Sequence, residues 1–155
     1  MRVLVVSADP EVRALMGLAV QGVRRKMGHD EPFELLHASD GLAAMAIAWR
    51  ADPDVVIADE ITSRAGAFAL TMELKGAERP YAGRIVILLD RSVDAWLAAW
   101  SGADAWFVKP VNPFELAATV TGFFRYIDQS ASLETLGVAG QLHVLDHRPR
   151  LLPDA

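Results

Sequence analysis

The chain reads GADAWFVKPVNPFE from Gly102 to Glu115. A short apolar run, Trp106–Val108, lies between Gly102 and the dipeptide Lys109-Pro110, and such a run is typical of a strand buried on both faces. Asn112-Pro113 then favours a helix start, because Asn caps a first turn and Pro fits the first helical position. The stretch therefore predicts a buried strand that leads through a short loop into a helix.

The same alternation of apolar runs and helical patterns extends upstream. The other predicted strands are Val3–Val6, Phe33–Leu36, Val55–Ile57 and Ile85–Leu89. The predicted helices are Glu11–Met27 (with Pro10 before it), Gly41–Arg50, Ala67–Lys75, Val93–Trp100 (with Ser92 as its cap) and a last helix from Asn112 to about Asp128. Five strands alternating with five helices predict an α/β fold, a doubly wound parallel sheet in the flavodoxin-like order 2-1-3-4-5.

Length and patterning indicate one domain with a short C-terminal extension. The chain has 155 residues, and the strand–helix pattern occupies residues 1 to 128. The pattern changes after Asp128: Gln129–Ser132 is typical of a linker. Within residues 129–155, the alternation at Leu142–Val144 is compatible with a β-hairpin. We therefore expect a domain at 1–128 and a linker with an extension at 129–155.

Composition excludes several classes of protein. The chain has no cysteine, which excludes disulfide-stabilised folds and cysteine-based zinc sites or nucleophiles. No run of about eighteen apolar residues occurs, so no membrane span is expected. The net charge of −5 argues against nucleic-acid binding by the first 130 residues. We expect a cytoplasmic protein.

Two charged residues end strands that meet at one edge of the predicted sheet. Asp59 ends the third strand and Lys109 follows the fifth. In sheets of this kind the chemistry lies at the carboxyl ends of the strands. A carboxylate there can act as a nucleophile toward a phosphoryl donor, and a lysine can pair with phosphoryl oxygens. Asp59 and Lys109 are therefore the candidate reactive pair.

Residues 1 to about 128 resemble the receiver domain of two-component response regulators. The resemblance is carried by Val5–Pro10, by the third strand ending in Asp59, and by Gly102–Pro110 with the helix start that follows. It implies that Asp59 accepts phosphate from a histidine kinase and that Lys109 contacts the phosphoryl group. It also implies that the aromatic residue Trp106 changes rotamer on activation.

The chain departs from the family at the metal site. The two acidic residues that hold Mg²⁺ in the family are replaced by Ser7 and Ala8, and Asp9 follows one position later. Mg²⁺ requires near-octahedral oxygen ligands and favours carboxylates. Asp59, the main-chain carbonyl of Ile61 and a displaced Asp9 are the remaining candidate ligands. We therefore expect Mg²⁺ to bind weakly or not at all.

A second departure concerns the switch. The family has Ser or Thr where this chain has Leu89, and that hydroxyl couples the phosphoryl group to the aromatic residue. Leu89 cannot donate a hydrogen bond, and its bulk occupies the path of the switch. We therefore predict that Trp106 fills space against the last two helices.

Trp96 and Trp100 are four residues apart on the predicted fourth helix. Two interpretations carry equal weight: core packing, or a partly exposed aromatic patch on the face that receivers use for partners. Exposed tryptophans commonly anchor protein interfaces.

The preferred hypothesis is a degenerate receiver, not an enzyme, that signals through protein contacts while Asp59 and Lys109 form a permanent ion pair. Its expected partners are a histidine kinase, another signalling protein or a second copy. The alternative is a genuine phosphoacceptor at Asp59 with weak Mg²⁺ binding, which would bind DNA only if a longer chain carries an output domain. A third, a flavodoxin-like enzyme or flavin carrier, is disfavoured because Ser7–Glu11 contains no glycine for a phosphate loop.

Overall fold

A computed structural model of the chain describes residues 1–28, 30, 32–60 and 64–135. Strands and helices alternate along the chain, as predicted. The strands are β1 (Arg2–Val6), β2 (Glu34–Ala38), β3 (Val55–Asp59), β4 (Arg84–Leu89) and β5 (Ala105–Val108). The helices are α1 (Pro10–Met27), α2 (Gly41–Ala51), α3 (Ala67–Gly76), α4 (Ala95–Ser101) and α5 (Pro113–Thr135).

The five strands form one parallel sheet in the order β2-β1-β3-β4-β5, which confirms the predicted topology. The register pairs Asp59 of β3 with Leu88 of β4, and Leu89 of β4 with Val108 of β5. Because all strands run the same way, their carboxyl ends share one edge of the sheet. We call this the carboxyl edge.

Each face of the sheet supports its own apolar layer, which explains why the strand sequences are continuously apolar. One layer packs the sheet against α1 and α5, and it contains Val5, Ile57, Leu88, Met16 and Leu116. The other packs the sheet against α2, α3 and α4, and it contains Leu4, Val56, Ile87, Leu70 and Ala98.

Side-chain caps begin three of the helices. Asp9 precedes α1 and accepts a hydrogen bond from the Glu11 amide, with Pro10 at the first helical position. Asp40 caps α2 through the Ala43 amide. Asn112 accepts a hydrogen bond from the Phe114 amide at the start of α5. The predicted roles of Pro10 and Asn112 are thus confirmed.

The start of α4 differs from the prediction. Ser92 was expected to cap the helix, but Ser92–Asp94 forms a single 3₁₀ turn and α4 begins at Ala95. Within this turn the Arg91 guanidinium binds the Asp94 carboxylate at 3.1 Å. In a 3₁₀ turn, side chains three residues apart lie on the same side, so the spacing of Arg91 and Asp94 is compatible with this turn.

The last helix is longer than predicted. It ends at Thr135 and not near Asp128, so Gln129–Ser132, predicted to be a linker, is helical. The segment contains neither Gly nor Pro, and its serine hydroxyls donate to carbonyl oxygens four residues earlier. The predicted hairpin lies in 136–155, outside the described residues. Neither α5 nor any other described helix has the length and apolar character needed to cross a membrane.

Candidate functional site

Asp59 and Lys109 meet at the carboxyl edge of the sheet. Asp59 is the last residue of β3, and Lys109 directly follows β5. Lys109 Nζ lies 2.5 Å from Asp59 Oδ1, and the Asp59 side chain is almost fully buried. The ammonium group supplies the opposite charge that a buried carboxylate needs.

Ser7 binds the other oxygen of the same carboxylate. Its hydroxyl donates to Asp59 Oδ2 at 2.8 Å and accepts a hydrogen bond from the Asp9 amide at 3.1 Å. Ser7 is fully buried directly after β1. Both carboxylate oxygens of Asp59 therefore have donors from the chain itself. Sequence reasoning treated Ser7 as a missing acid and did not foresee this hydrogen bond.

The described residues expected to hold Mg²⁺ make other contacts in this structure. Asp9 caps α1, and the guanidinium of Arg13 donates to the main-chain carbonyls of Ser7 and Ala8. Ile61, whose carbonyl was the third candidate ligand, lies outside the described residues. Among the residues that the structure describes, no group of three or more His, Cys, Asp or Glu side chains could hold a metal ion. Mg²⁺ usually binds proteins through one or two carboxylates and keeps several waters, and Asp59 and Asp9 already accept hydrogen bonds from the chain.

Lys109 has a second carboxylate partner. Asp90, the residue after β4, places Oδ1 2.6 Å from Lys109 Nζ. Partial burial lowers the pKa of Lys109, but the hydrogen bonds and charges of Asp59 and Asp90 outweigh this effect and raise that pKa above its ordinary value. Lys109 therefore remains an ammonium ion at neutral pH and links two strand ends.

Glu60 extends the acidic cluster. Its Oε2 accepts a 2.6 Å hydrogen bond from the Asp90 amide. Burial raises the pKa of Glu60; the Asp90 amide opposes that shift, while the carboxylates of Asp94 and Asp90 add to it. Neither Glu60 nor Asp90 had a role predicted from the sequence. Their only signal was their position directly after β3 and β4.

The two predicted switch residues lie in the same apolar layer. Leu89 is fully buried, and Trp106 packs half-buried against the layer that contains Leu89. The side chain of Leu89 therefore belongs to the core beneath α3 and α4, away from the Asp59 carboxylate.

Trp96 and Trp100 are exposed on α4. Their accessible fractions are 59% and 66%, and Val93 in the preceding turn is 64% exposed. Of the two interpretations of this pair, core packing is therefore wrong. We call Val93, Trp96 and Trp100 the tryptophan face.

The chain is similar to response regulators in both sequence and fold. No protein-family model matches it. A response regulatory protein of Mycobacterium tuberculosis is 28% identical over 127 residues, which are 81% of this chain and 92% of that protein. In sequence and in fold, the chain is similar to the receiver domains of response regulators. The chemotaxis response regulator CheY4 of Vibrio cholerae shares its fold with a TM-score of 0.64 and 25% identity, over 79% of this chain and 97% of that one.

Three further proteins are similar to the chain. The receiver domain of a sensor histidine kinase from Pseudomonas aeruginosa, whose structure has Mg²⁺ coordinated in the active-site cleft, matches with a TM-score of 0.65 and 17% identity over 79% of this chain and 95% of that one. The chain spans only about half the length of two further curated relatives, both described as transcriptional regulators.

Proposed function

We propose that this chain is a signalling module that acts mainly through protein–protein contacts while Asp59 and Lys109 form a permanent ion pair. The proposal rests on one observation: Lys109 Nζ and Ser7 Oγ occupy both oxygens of the Asp59 carboxylate. The proposal assigns the chain no catalytic turnover.

The hydrogen-bonding pattern opposes phosphoryl transfer to Asp59. A nucleophilic carboxylate attacks the phosphoryl donor through a lone pair of one of its oxygens. The hydrogen bonds from Ser7 and Lys109 stabilise the charge on both oxygens of Asp59 and so make each of them less nucleophilic. The present contacts thus favour the unmodified carboxylate.

Mg²⁺ is proposed to bind weakly or not at all. Phosphoryl transfer depends on metal ions to balance the charge of the transferred group. Asp59 is bound by a lysine and a serine, and Asp9 caps a helix. To bind, Mg²⁺ would have to displace one of these contacts, and the free-energy cost of that displacement would weaken metal binding. This cost supports a site that operates without the metal.

The tryptophan face is the proposed contact surface. No residue of α4 carries a charge, so burial of this helix against a partner desolvates no ionised side chain. Tryptophan is enriched among the residues that dominate binding energy. We propose a second copy of the chain as the occupant to test first, with a cytoplasmic histidine kinase or another signalling protein as the other expected partner class.

We propose DNA binding only for a longer chain in which a further domain follows this one. Two longer relatives are transcriptional regulators, and this chain matches about half of each. The net charge of −5 gives the chain itself little attraction for a phosphate backbone.

A rival function is a phosphoacceptor at Asp59. The retained Asp59–Lys109 pair at the carboxyl edge favours it. The two functions differ in the response of the chain to Mg²⁺ and to a phosphoryl mimic such as beryllofluoride.

Replacing both Trp96 and Trp100 with alanine is expected to weaken self-association by about thirtyfold, the loss of about 2 kcal/mol that anchoring aromatic residues typically cause. Trp49→Ala is the matched control, because Trp49 is also exposed but lies on α2. Sedimentation velocity across a concentration series measures the effect. Equal association of the double variant and the wild type, or a wild type that stays monomeric throughout, would contradict self-association through this face.

A further inference from the structure

One ammonium group joins the ends of three neighbouring strands. Lys109 follows β5, and its Nζ lies 2.5 Å from Asp59 at the end of β3 and 2.6 Å from Asp90 after β4. The bridge therefore spans the centre of the carboxyl edge and reaches the connection that leads into α4.

The contacts continue from Asp90 toward α4. The Asp90 amide donates to Glu60, whose own amide donates to the Leu88 carbonyl at 2.9 Å. The negative charge of Asp94, in the turn before α4, is among the causes that raise the pKa of Glu60. Arg91 holds Asp94 through two hydrogen bonds of 3.1 and 3.3 Å. Polar contacts thus connect the ends of β3 and β5 to Asp90, the first residue of the connection that leads into α4.

Leu89, the last residue of β4, does not contribute to these polar contacts. Leu89 is buried in the apolar layer with Trp106 and offers no hydrogen-bond donor to the carboxyl edge. Asp90, one residue later, has a carboxylate that reaches the edge and binds Lys109.

We propose that Asp90 is a positioning residue: its bridge to Lys109 ties the β4–α4 connection to Asp59 and holds α4, and with it the tryptophan face, in one arrangement. This inference rests on the proposed function, because it presupposes the fixed Asp59–Lys109 pair. The tie requires no modification of Asp59.

The exposure of Asp90 indicates a local role for this tie. The Asp90 side chain is 36% exposed, and ion pairs of such exposure add little to global stability. Loss of the bridge should therefore loosen α4 without unfolding the domain. The bonds that close the end of α4, from the Gly102 amide to Ala99 and from the Ala103 amide to Ala98, report whether the helix is intact.

The test is residue-resolved amide hydrogen exchange on the full chain carrying Asp90→Asn. Exchange at Gly102 and Ala103 is expected to accelerate about fivefold, the factor for about 1 kcal/mol from one part-exposed ion pair, while β1 amides stay unchanged. Asp90→Glu, which keeps the carboxylate, is expected to restore wild-type exchange. Glu34→Gln is the control, since it breaks an exposed ion pair with Arg2 at the distant β1–β2 side.

Three results would overturn the proposed role of Asp90. The first is unchanged amide exchange at Gly102 and Ala103 in Asp90→Asn. The others are an equal acceleration of exchange at β1 amides in that variant, or an equal acceleration at Gly102 and Ala103 in Asp90→Glu. None of these touches the proposed function, because the Asp59–Lys109 pair is unaltered in each variant. Conversely, a wild-type response to a phosphoryl mimic would reject the proposed function whatever these variants show.

Discussion

Lys109→Met is expected to lower the free energy of unfolding by about 3 kcal/mol, because it leaves a buried carboxylate without its counter-charge. Asp59 is 3% exposed and keeps only the hydrogen bond from Ser7 on its carboxylate in this variant. Asp90 also loses its partner, and the two carboxylates then repel each other. Methionine keeps the unbranched apolar stem of lysine as far as Cε and removes the charged Nζ, so the change acts mainly on the charge.

Urea unfolding of the variant and the wild type measures this loss. Arg91→Met is the control: it breaks a pair whose arginine is 71% exposed, and we expect a loss below about 1 kcal/mol. A double variant that adds Asp59→Asn should recover most of the stability, since the buried charge is then removed. If Lys109→Met unfolds at the wild-type urea concentration, the permanent ion pair does not hold the site together.

Replacing Ser7 and Ala8 together with aspartate is expected to create Mg²⁺ dependence. Two new carboxylates beside Asp59 repel it, and the hydrogen bond from Ser7 is lost. Without Mg²⁺ we therefore expect a loss of about 3 kcal/mol in the free energy of unfolding, of the size caused by uncompensated buried charge. Millimolar Mg²⁺ should restore much of it, because a ligand that binds only the folded state stabilises that state.

Thermal unfolding with and without Mg²⁺ measures this dependence. The wild type is the matched control, and its melting temperature is expected to be insensitive to the metal. A variant with both acids that still ignores Mg²⁺ would show that the missing acids are not the sole obstacle. The buried Leu89 or the loop after Asp59 would then block the site as well.

The sheet and the central pair were predictable because they depend on burial and on chain direction. Strands buried on both faces read as continuous apolar runs, and Val55–Asp59 is buried throughout. Parallel strands share one carboxyl edge, so Asp59 and Lys109 had to come close. Neither prediction requires a side-chain rotamer.

The finer contacts depend on positions of a few tenths of an ångström. Whether Ser7 reaches Asp59, and whether Lys109 also reaches Asp90, depends on rotamers at a crowded edge. The end of α5 was misjudged for a related reason. Serines in Gln129–Ser132 can cap a turn or bond to carbonyls one helical turn earlier, and composition alone does not distinguish the two.

The most direct test of the permanent ion pair is a tryptophan-fluorescence and amide-NMR titration of the wild-type chain with Mg²⁺, followed by beryllofluoride as the phosphoryl mimic. We predict no saturable change in fluorescence, and no shift in the amide signals of Asp59, Asp90 or Lys109, through millimolar Mg²⁺ with and without the mimic. A saturable change at millimolar Mg²⁺, enhanced by beryllofluoride and lost in Asp59→Asn, would contradict the account and establish Asp59 as a phosphoacceptor.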